Sequence, residues 1–222
     1  MRLKLRAIFG GTFDPVHRGH LGAAREVHAA LAPDTFHFLP AGRPPHRSGT
    51  YAPAEARLRL LELALADSPG LGIDTRELER EGPSFMVDTL ASLRAEHPDE
   101  ALALVLGQDA LNGLDRWHDW RRLPELAHLV VMTRPGESAA YGNALAEVLA
   151  PRFVADPAAL RTATAGAVLR VAVTPRPVSS TLIRDRIDDP EALRALVPEA
   201  VAAAIEREGL YRSPARPTGA DL

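Results

Sequence analysis

The chain has 222 residues, 46% of them hydrophobic and 25% charged, which suits one large globular domain or one domain with an appendage. A formal charge of -3 gives no reason to expect nonspecific nucleic-acid binding, and the lack of cysteine excludes disulfides, thiolate chemistry and cysteine zinc sites. Residues 1–6 have no apolar signal core and no apolar run is long enough to span a bilayer, so a cytoplasmic protein without membrane partners is expected.

Leu3, Leu5 and Ala7 alternate with Arg2, Lys4 and Arg6, and Ile8-Phe9 runs into Gly10-Gly11, which makes a first strand. From Gly19, the apolar residues Leu21, Ala24, Val27 and Leu31 fall at helical spacing until Pro33 ends the helix. Residues 35–39 form a second strand stopped by Pro40, and the loop 41–49 that follows is rich in turn formers and basic groups. Pro53 opens a helix with Leu58, Leu61 and Leu65 on one face, and residues 71–74 are a short strand. Ser84 is placed to cap a helix carrying Val87, Leu90 and Leu93 that closes before Pro98.

The apolar run 101–106 suits a central parallel strand buried on both faces; it breaks at Gly107-Gln108-Asp109, where a short helix follows. Residues 117–127 read as helical with a break at Pro124, and 128–133 as another buried strand stopped by Arg134-Pro135-Gly136. Residues 137–167 carry a helix around 145–149 and then irregular chain; 168–173 is a further strand. Ser180 or Thr181 caps a helix containing Leu182, Ile183 and Ile187, and two more helical segments lie near 190–196 and 199–208. The alternation predicts an α/β fold: a Rossmann-like, doubly wound parallel sheet with helices on both faces and a small helical C-terminal segment. Ligands in such sheets sit beyond the carboxyl ends of the strands, where nearly all the polar clusters of this chain fall.

The first cluster is Gly10-Gly11-Thr12-Phe13-Asp14-Pro15-Val16-His17-Arg18-Gly19-His20. Adjacent glycines let backbone approach a ligand, and the helix start near Gly19 presents free N–H groups to a phosphate. His17 and His20 would point at the same anion; the alternatives are two polar residues of a helix start, or half of a metal site that no other ligand set completes. A second candidate anion site is Ser180-Thr181 with Arg184 a turn further on, whose fork of donors suits phosphate oxygens; the alternative is a capped helix with a solvated arginine. Arg43, His46 and Arg47 make either a basic surface loop or, with Arg134, a phosphate clamp. Asp109 could accept both hydroxyls of a ribose or cap a helix, and Trp117 could stack on a ring or pack in the core.

The string Gly10-Gly11-Thr12-Phe13-Asp14-Pro15-x-His17-x-Gly19-His20 resembles the signature of the HxGH nucleotidyltransferase superfamily. Pro44-Pro45-His46-Arg47, Gly107-Gln108-Asp109 with Trp117, Ser179-Ser180-Thr181-x-Ile183-Arg184 and Glu208-Gly209-Leu210-Tyr211 narrow the resemblance to the bacterial nicotinate-nucleotide adenylyltransferases. The likeness spans residue 7 to about 211. It implies a single nucleotidyltransferase domain over 1–211, its helical part about 179–211, with 212–222 a disordered tail.

The resemblance further implies adenylyl transfer from ATP, carried with Mg2+, to nicotinate mononucleotide, without a covalent enzyme intermediate. His17, His20 and Arg184 would be catalytic. Gly10, Gly11, Thr12, Phe13, Gly107, Asp109, Ser180 and Thr181 would join them around ATP. Arg43, His46, Arg47, Ser84, Phe85, Met86, Trp117 and Arg134 would hold the acceptor nucleotide, with the carboxylate read by backbone N–H groups near 84–89. No dedicated metal ligands and no nucleic-acid partner are implied. The chain departs from the family pattern at Arg47, usually Lys, and at Met86, commonly Thr. The alternatives are another HxGH transferase, using phosphopantetheine or a cytidylyl donor, and a non-catalytic nucleotide sensor.

Overall fold

The computed structural model describes residues 2–43, 49–138 and 140–212. Pro44, Pro45, His46 and Arg47, and the expected tail beyond Arg212, lie outside the described residues. The elements begin with β1 (Leu5–Gly11), α1 (Arg18–Leu31), β2 (Thr35–Pro40), α2 (Ala54–Leu65), β3 (Leu71–Ile73), α3 (Arg76–Glu79) and α4 (Met86–Glu96). They continue with β4 (Ala101–Gly107), α5 (Gln108–Asn112), α6 (Leu123–Leu126), β5 (His128–Thr133), α7 (Asn143–Leu149), β6 (Phe153–Val154) and β7 (Val168–Ala172). The last are α8 (Ser180–Asp185), α9 (Pro190–Leu196) and α10 (Glu199–Glu208). Two compact units form: one comprises the chain up to Gly10, Ala23–Phe38 and Phe85–Thr174, the other Gly11–Gly22, Leu39–Ser84 and the chain from Pro175 onward.

The first unit is built on a sheet ordered β2-β1-β4-β5-β7-β6. The pairs β1–β4, β4–β5, β5–β7 and β6–β7 are all parallel. Residues 101–106 of β4 are buried on both faces, which is why that strand reads as an unbroken apolar run. The chain moves from β1 to β2 on one side and resumes at β4 on the other, so the strand order reverses at the β1–β4 boundary. That reversal is where ligands bind in doubly wound α/β sheets. The register Phe9↔Val105 brings Gly10 and Gly107 out at the same edge, and Gly107↔Met132 adds the end of β5. This is the Rossmann-like α/β fold that the alternation of strands and helices predicted.

In the second unit α2 packs on α10, and α9 on both α8 and α10. Leu60, Leu61, Ile183, Leu193, Val201, Ala202 and Ile205 supply its core. Arg59 of α2 and Glu208 of α10 pair on its surface. Gly209, at φ 64, ends α10 in the left-handed conformation, and the Leu210 N–H reaches back 3.1 Å to the Ile205 carbonyl. A glycine-ended helix closed this way satisfies carbonyls that would otherwise be orphaned.

Several expectations are corrected. Ser84 does not cap α4: Phe85 is the N-cap residue, and the Ser84 hydroxyl instead accepts the Arg43 N–H at 3.2 Å. Pro124 does not break a helix but sits in the first turn of α6, where its missing N–H costs nothing; the residues before it form 3-10 turns at Leu114–Arg116 and Trp120–Arg122. The cap of α8 is Ser179, whose side chain accepts from the Leu182 N–H, and Ile187 lies beyond the end of that helix. Pro53 is itself the N-cap residue of α2 rather than its first helical residue. The buried face of α2 is Ala56, Arg57, Leu60, Leu61, Ala64 and Leu65, with Leu58 only half-buried. The helix α3 and the two-residue strand β6 were not anticipated.

Candidate active site

The glycine-rich string leaves β1 and enters α1 inside the second unit. Phe13, at φ 49 and 2% exposed, turns its ring back over the chain. A Cβ on Gly11 would fall 2.8 Å from that ring, so a larger residue there would have to displace Phe13. His17 and His20 stack face to face, ring centroids 3.6 Å apart, and Phe13 meets His20 edge-on at 5.1 Å. The His20 backbone N–H donates to His17 Nδ1 at 3.3 Å. A ring nitrogen that accepts this N–H carries no proton of its own, which leaves the ring proton on Nε2. The first turn of α1 contains no acidic residue to oppose an anion.

Helix α8 closes on this same string. Its three consecutive hydroxyls divide three tasks: Ser179 caps, Ser180 Oγ donates to the Pro15 carbonyl at 2.9 Å, and Thr181 Oγ1 accepts from Arg184 at 3.2 Å. Arg184 also donates to the Asp14 carbonyl at 2.6 Å, and its guanidinium lies 4.0 Å from the centre of the Tyr51 ring. Such a contact holds the fork in place while leaving other N–H donors available. Ser180 and Arg184 thus bond to the Pro15 and Asp14 carbonyls, just ahead of His17 in the same string.

Three residues behind that loop had no assigned role in the sequence reading. The Asp14 carboxylate accepts the backbone N–H groups of Tyr51 at 2.6 Å and Ala52 at 3.1 Å. Arg57, 0% exposed, donates to the carbonyls of Thr12 at 2.7 Å and Gly42 at 3.3 Å. Burial pulls the Arg57 guanidinium down, and the Asp14 carboxylate partly restores it. Burial first, and Asp14 second, push the Tyr211 phenol far up, so it stays neutral. Nearby, Arg43 exchanges two hydrogen bonds with Ser84, its N–H to the hydroxyl and its carbonyl from the Ser84 N–H at 3.0 Å. The Ser84 hydroxyl therefore fixes Arg43 within the second unit.

The remaining candidates belong to the first unit. Gly107 is the N-cap residue of α5, and a Cβ there would meet nothing within 4 Å. Asp109 sits in the first turn of α5 with an exposed carboxylate that caps nothing, which removes the structural alternative considered for it. Trp120 is the core tryptophan, 7% exposed, while Trp117 is half-buried at the end of a 3-10 turn. Phe85 and His118 face each other at 4.4 Å. Met86 opens α4 and lies 3.1 Å from where a Gly10 Cβ would be. Arg134 binds Glu137 through both its backbone N–H and its guanidinium. Any anion drawn to Arg134 competes with that carboxylate.

The Cytidylyltransferase-like family model matches residues 8–186. A Methylococcus capsulatus protein named "Probable nicotinate-nucleotide adenylyltransferase" is 47% identical over 205 residues, covering 92% of this chain and 98% of that one. The chain belongs to the nicotinate-nucleotide adenylyltransferase family. A second member carrying the same name, from Halorhodospira halophila, is 45% identical over 216 residues, covering 96% and 99%. The structure of a Plasmodium falciparum nicotinic acid mononucleotide adenylyltransferase complexed with NaAD superposes with a TM-score of 0.73. It covers 94% of this chain and 98% of that chain, and at 14% identity the likeness concerns the fold alone. Within this family chain, no group of three or more His, Asp or Glu could hold a metal among the described residues.

Proposed function

We propose that this protein transfers the adenylyl group of ATP to nicotinate mononucleotide, giving nicotinic acid adenine dinucleotide and pyrophosphate. The observation that carries the reading is near-full-length identity of 47% and 45% to relatives with that name, in a chain whose His17 and His20 stack and whose Arg184 bonds to Asp14 of the same string. An ionised oxygen of the mononucleotide phosphate attacks the α-phosphorus of ATP in line. The bond from that phosphorus to the bridging oxygen breaks, and pyrophosphate leaves with the electron pair. The attacking oxygen is already an anion, so no side-chain nucleophile or strong base is needed. The protein's task is alignment and neutralisation of charge developing on the phosphates.

His17, through Nε2–H, and His20 donate to the phosphates, with His20 nearest the α-phosphorus. Arg184 supplies fixed positive charge to the leaving pyrophosphate. Gly10, Gly11, Thr12 and Phe13 line the triphosphate together with Ser180 and Thr181, Thr181 also holding Arg184. Gly107 and Asp109 take the ribose. Trp117 stacks on the cationic pyridine ring of the acceptor. Backbone at Phe85 and Met86 reads its carboxylate, and Arg43, His46, Arg47 and Arg134 receive its phosphate. Magnesium carried by ATP would offset charge on the phosphates and would ask few ligands of the protein. Both substrates are small molecules, no nucleic acid or membrane takes part, and the cytoplasm is the compartment that fits. Among the described residues no helix is long and apolar enough to cross a membrane.

The test is pyrophosphate release with MgATP and each of nicotinate mononucleotide, nicotinamide mononucleotide, phosphopantetheine and glycerol 3-phosphate, with CTP as alternative donor. Release with nicotinate mononucleotide is expected. Turnover only with phosphopantetheine, glycerol 3-phosphate or CTP would move the chain to another branch of the superfamily. ATP binding without turnover of any acceptor would make it a nucleotide sensor.

A further inference from the structure

Arg57 carries a charge in a place where charge is costly. It is 0% exposed on the inward face of α2, flanked by Ala56, Leu60 and Leu61. No carboxylate pairs with it at salt-bridge distance among the described residues. Its Nε has no hydrogen-bond partner. Its two terminal nitrogens go to backbone carbonyls on separate segments: Nη1 to Thr12 at 2.7 Å and Nη2 to Gly42 at 3.3 Å. An apolar residue at this position would stabilise the helix without desolvating a charge. The arrangement therefore calls for a reason other than packing.

The reason lies in what the two carbonyls belong to. Thr12 is in the string that carries His17 and His20. Gly42 precedes Arg43, whose backbone is clamped to Ser84. The segments also touch directly, since the Ala41 N–H donates to the Gly11 carbonyl at 2.9 Å. Gly42 itself is held so close to the Glu77 carbonyl that an added Cβ would fall 2.1 Å from it. One planar guanidinium thus spans the triphosphate string and the strand-end loop assigned to the acceptor. Lysine could reach only one of the two with comparable geometry.

We infer that Arg57 is a positioning residue for adenylyl transfer, its fork setting the triphosphate string and the Gly42–Arg43 backbone in one register, with its positive charge behind the string. The inference rests on the proposed activity. Wild-type pyrophosphate release in the same assay separates the two: with no wild-type turnover the activity reading fails, and with turnover the variants report on Arg57.

The variants are Arg57→Met and Arg57→Lys, each measured for kcat, both KM values and thermal melting. Arg57→Met is expected to lower kcat by about tenfold or more and to raise KM for both ATP and nicotinate mononucleotide. Arg57→Lys, which keeps the charge and one of the two bonds, should fall between Met and wild type. A purely structural arginine would lower the melting temperature and leave the kinetics of the folded protein unchanged. Folded Arg57→Met with kinetics within about twofold of wild type would overturn the inference, as would a rise in only one KM. Should Arg57→Met not fold, Arg57→Lys decides alone: wild-type kinetics overturn the link, and a loss shared by both substrates at unchanged melting supports it.

Discussion

Gly19 separates the two histidines, and replacing it by alanine tests whether their geometry matters more than their presence. A Cβ at Gly19 would lie 2.9 Å from Val178 Cγ1 and 3.0 Å from His17 Nδ1. Ordinary carbon contacts begin near about 3.5 Å, so something must retreat by roughly half an ångström. Two opposing terms act on stability. Overpacking costs about 1–3 kcal/mol, while alanine in place of glycine in a helix returns about 1 kcal/mol. The net change is therefore small, about 0–2 kcal/mol, or a few degrees in melting temperature for a chain this size. The effect on catalysis is larger. His17 holds its ring through the bond from the His20 N–H, 3.3 Å long, beside a stack of 3.6 Å. Displacing reacting groups by about an ångström can cost about a hundredfold in rate, so kcat for Gly19→Ala should fall about 10–100-fold with melting lowered by a few degrees at most. Val178→Ala in the same background removes the nearer clash but not the one with His17, so it should restore kcat only in part. The measurement is pyrophosphate release at saturating substrates beside a thermal melt. A kcat within about threefold of wild type, or activity lost only in proportion to unfolded protein, would refute the claim that this ring pair is held at the limit of contact.

His20→Ala removes one donor at the α-phosphorus and should lower kcat by roughly a hundredfold, about 3 kcal/mol, with ATP still bound; a kcat within a few-fold of wild type would return His20 to a packing role. Trp117→Ala should raise KM for the pyridine nucleotide by roughly tenfold with kcat little changed, as loss of a ring stacked on a cation requires; an unchanged KM would place Trp117 outside the acceptor site. His128, 0% exposed, makes stability depend on pH. Its Nδ1 accepts the Ala167 N–H at 3.0 Å, so Nε2–H donates to the Ala163 carbonyl, and burial pulls its pKa down from the ordinary histidine value. Above about pH 6.5 it is neutral folded and unfolded, and nothing is lost. Below that the unfolded chain takes up a proton the folded one refuses, so stability falls by up to about 1.4 kcal/mol per pH unit until the folded ring titrates. Denaturant melts of wild type and His128→Gln between about pH 7 and 5 check this; parallel slopes for the two would disprove it.

The sheet was legible because its central strands are buried on both faces. β4 and β5 are continuous apolar runs, and no helix competes for segments bounded so closely by glycine and proline. What escaped reading was short and tertiary. Strand β6 is two residues long and is recognisable only by its pairing with β7; α3 is four residues in a charged stretch without apolar period. Pro124 was misplaced because proline signals both ends: it forbids the interior of a helix and favours its first turn, and only the chain before it decides which.

The side chains proposed to face a ligand could be nominated for a different reason. Histidines, hydroxyls and arginines beside glycines carry their chemistry in their side chains, so their spacing alone suggests an anion. The supporting side is made of contacts to backbone. Arg57 binds two carbonyls, Arg184 binds a third, Ser180 a fourth, and Asp14 accepts two N–H groups. Every residue has those partners, so nothing in the sequence marks the ones used. The α2 pattern shows the consequence: leucine spacing nominated Leu58 for the buried face, whereas the helix is rotated so that an arginine is buried. Three hydroxyls in a row at 179–181 pose the same problem, since Ser179 caps α8 only because its extended φ and ψ aim its oxygen at the Leu182 N–H. Residues proposed to act on a ligand can be nominated by type and spacing, whereas those that act on the backbone can be found only once the backbone is in place.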